Sequence, residues 1–237
     1  MSNKAEILDA ATVLLVREGK HTPEVLLLRR NKALRFASGF WVFPGGKVED
    51  YEKEGRSAME AAKQAAVREA WEETGIQIDA NDLVFFTHWT TPKIEPLRFG
   101  TWFFYGLIRG EVSDVIVDGS EIEEHIWIPP NKALDLMHDN RLAMMPPTFM
   151  TLQQISHAVR MEDVEQALNS DKPPYILPEI VFQNEQIFCL YEGDVAYKSH
   201  RVMDKGPRHR LVSDLKFTSY EFHYKDCNHI RPVNGMR

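Results

Sequence analysis

Apolar residues come in short, dense runs over the first part of the chain. Ala10 to Val16 (AATVLLV) and Val25 to Arg29 (VLLLR) are β-prone, and the polar stretch between them holds Gly19 and Pro23. That pattern reads as two neighbouring strands. Phe40 to Phe43 is a third extended piece, stopped by Pro44-Gly45-Gly46, where the chain must turn sharply. The period then changes. Ser57 to Glu60 (SAME) is a capping-box pattern, and no Gly or Pro interrupts Ala58 to Glu73. A helix of about four turns is predicted there. Thr74-Gly75 ends it, with the glycine placed for a left-handed C-cap. Leu83 to Trp89, Thr101 to Ile108 and Ile122 to Ile128 read as strands. Lys132 to His138, after the Pro129-Pro130 break, Phe149 to Val159 and Glu162 to Leu168 read as helices. Asp171 to Pro178 contains three prolines and marks a boundary. Beyond it, strand-like runs (Ile187 to Tyr191, Leu211 to Tyr224) alternate with polar turns. The expected organisation is a main domain over 8–170 and a β-rich C-terminal extension, 171–237, packed on it.

Composition narrows the setting. Of 237 residues, 43% are hydrophobic and 27% charged, which is ordinary for a globular protein. The net charge of -7 argues against a broad basic surface for nucleic acid. Cys189 and Cys227 stand far apart with no CxxC partner, so neither a disulfide framework nor a structural zinc site is expected. The N-terminus, MSNKAEILDA, carries acids where a signal peptide needs an apolar run, and Gly-Met-Arg at the C-terminus is no peroxisomal address. With no membrane-length apolar segment either, the expectation is cytoplasmic.

The chemistry concentrates in Gly45 to Ile76 (GGKVEDYEKEGRSAMEAAKQAAVREAWEETGI). Glu69, Glu72 and Glu73 fall at i, i+3 and i+4 of the predicted helix, so three carboxylates share one face. Their mutual repulsion does nothing for helix stability. A hard divalent cation such as Mg²⁺ or Mn²⁺ would reverse that penalty, since it prefers clustered carboxylate oxygens. Arg68 can pair with one of them and orient it. On spacing alone, a solvated acidic face is an equally good reading.

Gly46, Glu52, Arg68, Glu69, Glu72, Glu73, Gly75 and Ile76 resemble the Nudix box, G-x5-E-x7-R-E-U-x-E-E-x-G-U with U aliphatic. Ala70 takes the first U position as a small apolar residue. Glu52 to Arg68 is eight residues longer than that pattern. Gly46-x5-Glu52 and Glu60-x7-Arg68 are each intact, so the insertion is expected to lengthen the loop before the helix and to leave Glu60 as the structural glutamate. The resemblance implies an α/β/α sandwich with a mixed β-sheet between helices. It also implies that Glu69, Glu72, Glu73 and the carbonyl of Gly45 hold one to three Mg²⁺ or Mn²⁺ ions for diphosphate hydrolysis. A further carboxylate often serves as general base in this superfamily. Glu121 and Glu124 are the candidates beside Glu72, with a solvated strand edge as the alternative.

Residues outside the box bear on the substrate. Arg30, Leu34, Arg35, Gly39 and Phe43-Pro44-Gly45-Gly46 are similar to the pattern preceding the box in coenzyme-A-cleaving members, although Ala37 stands where that pattern has histidine. Thr90-Thr91-Pro92, Arg98-Phe99 and Pro146-Pro147-Thr148 resemble the peroxisomal acyl-CoA diphosphatases and their bacterial relatives. Arg30, Arg35 and Arg98 are candidates for phosphate contacts and Phe36 for stacking on adenine. Each has a plainer reading as a core or solvated residue. The resemblance implies CoA or acyl-CoA as substrate, with ADP-ribose, a nucleotide sugar, NADH or a dinucleoside polyphosphate as alternatives. A non-catalytic nucleotide-binding module is a remoter reading, because such modules lose box glutamates. A homodimer stays open.

Overall fold

The computed structural model describes residues 6–33, 37–110, 114–117 and 119–227. In chain order come β1 (Ile7–Arg17), β2 (Glu24–Arg30), β3 (Trp41–Val42), β4 (Gly45–Lys47), α1 (Asp50–Lys53), α2 (Ala58–Thr74), β5 (Val84–Thr90), β6 (Arg98–Ile108) and β7 (Ile122–Ile128). They are followed by α3 (Pro130–His138), α4 (Pro146–Ile155), α5 (Met161–Leu168), β8 (Tyr175–Ile176), β9 (Glu179–Gln183), β10 (Gln186–Leu190), β11 (Arg208–Asp214) and β12 (Tyr220–Lys225).

The main sheet runs β3-β2-β1-β6-β5-β8, with β4 also pairing β1 and β7 also pairing β2. β1 is parallel to β6 along eleven residues, Ile7↔Arg98 to Arg17↔Ile108, while β1 is antiparallel to β2 and β4. The sheet is therefore mixed. β1 is central and covered on both faces, which is why Ala10 to Val16 shows continuous apolar character rather than alternation. Side-chain alternation splits it: Ala11, Val13 and Leu15 join the apolar cluster under α2, and Leu14 and Val16 join the one under α4 and α5. Helices thus cover both faces, and the expected α/β/α sandwich is the fold observed.

α2 is set by local chemistry. Ser57 accepts from the Glu60 N–H while the Glu60 carboxylate accepts from the Ser57 N–H, closing a capping box. Gly75, at φ 72°, ends the helix with its N–H on the Trp71 carbonyl. Ala61, Ala62, Ala65, Ala66 and Ala70 are buried, so the helix backbone lies close on the sheet. α3 begins at Pro130, where a missing N–H costs nothing.

β9 to β12 form a separate antiparallel sheet in the order β12-β11-β10-β9. Its Ile187, Cys189, Leu211 and Tyr220 share one apolar cluster with Leu134, Met144 and Phe149. The C-terminal sheet therefore packs on the helical face. β8 departs from it and extends the main sheet, parallel to β5. Among the described residues, no helix is long and apolar enough to cross a membrane.

Candidate active site

The site forms where α2 passes over the β4 turn. Thr12↔Gly45 and Ala11↔Gly46 pairing pins β4 to the central strand. A Cβ on Gly46 would lie 2.2 Å from Glu69 Oε1, so only glycine lets the backbone come so close to that carboxylate. Glu73, only 6% exposed, accepts from the Gly45 N–H at 2.9 Å. Burial pushes the Glu73 carboxyl up to about 8, against the pull of the Gly45 N–H and with the Glu69 charge adding to the rise. Burial also raises Glu69, against the opposing effect of Arg68. Two neighbouring acids are thus held in an environment that disfavours their charge.

Arg68 is the organising cation. Its Nη1 donates to Glu69 Oε1 at 2.8 Å and Glu72 Oε2 at 2.9 Å, and its Nη2 donates to the Lys47 carbonyl at 2.9 Å. Its Nε donates to Glu52 Oε1 at 3.0 Å. Burial works against the guanidinium charge, but Glu52, Glu69 and Glu72 outweigh it and hold Arg68 protonated.

This corrects one expectation from sequence. Glu52, 3% exposed, is the structural glutamate, while Glu60 is exposed and serves the helix cap. α1 is the reason. It turns Glu52 inward, with Oε2 accepting from the Glu49 N–H at 2.8 Å, so the intact Gly46-x5-Glu52 half keeps its place. The extra residues follow Glu52, in a turn at Gly55 (φ 69°) and in the first turns of α2. Spacing favoured neither glutamate, because Gly46-x5-Glu52 and Glu60-x7-Arg68 are both intact.

The remaining candidates are dispersed. Arg30 Nη2 lies 3.8 Å from Glu121 Oε2, and the charges of Arg30 and Glu121 both act on Glu73, so these two face the carboxylates. Glu124 is instead held by Arg29 at 2.7 Å, on the neighbouring register of β2 and β7. Glu72 is half-exposed and shares Arg68 Nη1 with Glu69. Arg98 is buried at the far end of β1, opposite Ile7, and its Nε donates to the Thr91 carbonyl at 3.0 Å. Five residues along a strand separate that position from Thr12 and Gly45, roughly 16 Å at ordinary strand rise, so Arg98 is not beside the carboxylates. Arg35 and Phe36 lie outside the described residues. Among the described residues, no three His, Cys, Asp or Glu side chains converge as metal ligands; Arg68 gathers Glu69 and Glu72 instead.

The family profile of the NUDIX domain matches residues 7–149, more than half of the chain and the whole of this site. The chain belongs to the NUDIX domain family. Nudix hydrolases split diphosphate linkages and generally use divalent metal ions. A Caenorhabditis elegans relative named "Putative nudix hydrolase 7" is 26% identical over 223 residues, covering 79% of this chain and 74% of that protein. The C. elegans peroxisomal coenzyme A diphosphatase ndx-8 is 31% identical over 133 residues, which is 55% of this chain and 52% of that protein. A NUDIX hydrolase structure from Alicyclobacillus acidocaldarius superposes with a TM-score of 0.60 at 23% identity, over 70% of this chain and 98% of that one. That likeness concerns the Nudix fold; the C-terminal sheet, β9 to β12, lies outside the residues that the family profile matches.

Proposed function

We propose that this Nudix hydrolase cleaves the diphosphate of a nucleoside-diphosphate-linked small molecule, CoA or acyl-CoA first among them, with Mg²⁺ or Mn²⁺. One observation carries the chemistry: buried Glu73 and partly buried Glu69 lie side by side against the Gly45–Gly46 backbone. The donor set fits a hard divalent ion, because oxygen ligands whose charge the chain itself compensates poorly are the ones such an ion stabilises. Glu69, Glu72, Glu73 and the Gly45 carbonyl would hold it. When bound, the ion supplies charge neutralisation on the diphosphate and a more acidic water.

The chain's own residues do the rest. Arg68, anchored on Glu52 and the Lys47 carbonyl, orients Glu69 and Glu72. Arg30 supplies positive charge next to Glu73, where substrate phosphates would lie. Glu121 is the better-placed base of the outer pair, since its charge reaches Glu69 and Glu73 whereas Glu124 is engaged by Arg29. The CoA preference is supported by the pattern around Arg30, Gly39 and Pro44-Gly45-Gly46 and by the likeness to a protein named as a coenzyme A diphosphatase.

The test is a product-resolved assay with Mg²⁺ or Mn²⁺, offering CoA, acetyl-CoA, ADP-ribose, NADH and a diadenosine polyphosphate. Release of 3′,5′-ADP from CoA, abolished by EDTA, is expected. Release of AMP from ADP-ribose with CoA untouched would keep the chemistry and discard the substrate. Glu73→Gln should lower kcat by orders of magnitude in a folded protein; near-normal turnover would remove Glu73 from the machinery.

A further inference from the structure

A tight turn of the C-terminal sheet packs on Phe40, just ahead of β3. Between β11 and β12, Asp214 Oδ1 accepts from the Lys216 N–H at 3.1 Å and the Thr218 N–H at 2.9 Å, and its Oδ2 accepts from the Thr218 hydroxyl. Ser213 Oγ donates to the Ser219 carbonyl at 2.8 Å. So built, the turn carries Phe217 at φ 55°, a left-handed conformation that a bulky residue adopts only where its surroundings impose it.

The ring that this turn presents packs against the main domain. The Phe217 ring meets Phe40 edge-on, centroids 6.4 Å apart at 70°, and packs on Tyr220 at 6.3 Å. Tyr220 is anchored in turn: its ring packs on Phe149, centroids 4.8 Å apart and tilted by 46°, and its hydroxyl donates to the Met144 carbonyl at 2.9 Å. The Trp41 N–H donates to the Ala143 carbonyl at 2.8 Å. Phe40 continues directly to the site, because its carbonyl accepts from the Arg30 N–H at 3.0 Å and the Gly39 N–H donates to the Arg30 carbonyl at 3.1 Å. Arg30 is the cation that faces Glu73 and Glu121. Phe217 itself is half-buried at the edge of the main apolar cluster, beside exposed Leu215 and Lys216.

We propose that Phe217 is a positioning residue for substrate affinity: the 214–219 turn clamps Phe40, and Phe40 holds the Arg30 backbone where its side chain meets the substrate phosphates. This rests on the diphosphatase reading for what Arg30 binds. An edge-to-face aromatic pair contributes about 0.5–1.5 kcal/mol, a factor of roughly 2–12 in an equilibrium. For the diphosphate that wild type cleaves, Phe217→Ala should therefore raise KM about threefold to tenfold with kcat within about twofold. Phe217→Tyr should restore KM, and Phe40→Ala combined with Phe217→Ala should be no worse than either alone.

Hydrogen exchange supplies a readout that needs no activity. In Phe217→Ala, the amides of Arg30, Gly39 and Trp41 should exchange about tenfold faster while those of α2 do not change. Asp214→Ala, which loosens the turn and keeps the ring, should give the same pattern and serves if Phe217→Ala folds poorly. Unchanged exchange at Arg30, or a uniform rise that includes α2, would overturn the proposal, as would a rise in KM without faster exchange. If wild type cleaves no member of the panel, the diphosphatase reading fails, and the exchange comparison still decides whether the turn positions Arg30.

Discussion

Glu52→Gln is the sharpest test of how this site is held. Glu52 is buried and accepts from Arg68 Nε at 3.0 Å, Arg68 Nη2 at 3.3 Å and the Glu49 N–H at 2.8 Å. Glutamine keeps one acceptor oxygen and aims a donor NH₂ at a guanidinium or a backbone N–H. Removing one partner of a fully buried ion pair costs about 3–5 kcal/mol. Arg68 retains Glu69, Glu72 and a carbonyl here and is partly exposed, so the lower figure for a lost charged hydrogen bond, about 2–3 kcal/mol, applies. For a chain of this size that is a fall in Tm of roughly 4–12 °C. Because Arg68 also orients Glu69, metal-supported kcat/KM should drop by about one to two orders of magnitude. Glu60→Gln is the control. Glu60 is exposed and glutamine also serves in a capping box, so Tm should move by no more than about 2 °C with activity retained. Differential scanning calorimetry and steady-state kinetics on both variants decide the matter. A Glu60→Gln effect equal to or larger than that of Glu52→Gln would refute the assignment of Glu52 as the anchor.

Gly46→Ala should abolish turnover in a folded protein, since its Cβ would sit 2.2 Å from Glu69 Oε1; activity within threefold of wild type would show that the close approach is dispensable. Asp194 faces Arg210 in the C-terminal sheet, both almost fully buried, and also accepts from the His209 and Ala196 N–H groups. Burial raises the Asp194 carboxyl, but Arg210 and these N–H groups together win and lower its pKa. A depressed pKa means that this stabilisation is present above the unfolded value of about 3.9 and is lost as pH falls through the lower folded value. Asp194→Asn should therefore cost about 3–5 kcal/mol near neutrality and flatten the acid limb of a Tm-versus-pH curve; an unchanged acid limb would sink the argument. Burial pushes the Cys189 thiol up to about 12, so a thiol reagent at pH 8 should leave it unmodified until denaturant is added, read by intact mass.

Much of this was legible in the chain because it is local. The strands of Ala10 to Val16 and Ile122 to Ile128, and the helix between a Ser57–Glu60 cap and Gly75, follow from short-range periodicity and capping that hold in any tertiary setting. The spacing of Glu69, Glu72 and Glu73 on one helix face belongs to the same class. Short elements escaped. β4 is three residues including two glycines and β8 is two residues, so each exists only because β1 or β5 offers a hydrogen-bonding edge. The choice between Glu52 and Glu60 was equally closed to spacing, since both halves of the box were intact; burial of one carboxylate beside Arg68 decided it. Local sequence determined which groups could do chemistry, because helix and strand periods set which residues share a face. Tertiary structure alone decided which carboxylates are desolvated together, that Glu121 faces them while Glu124 is tied to Arg29, and that a turn some 180 residues downstream rests on Phe40. Those outcomes depend on distances between segments remote in sequence, which no local pattern encodes.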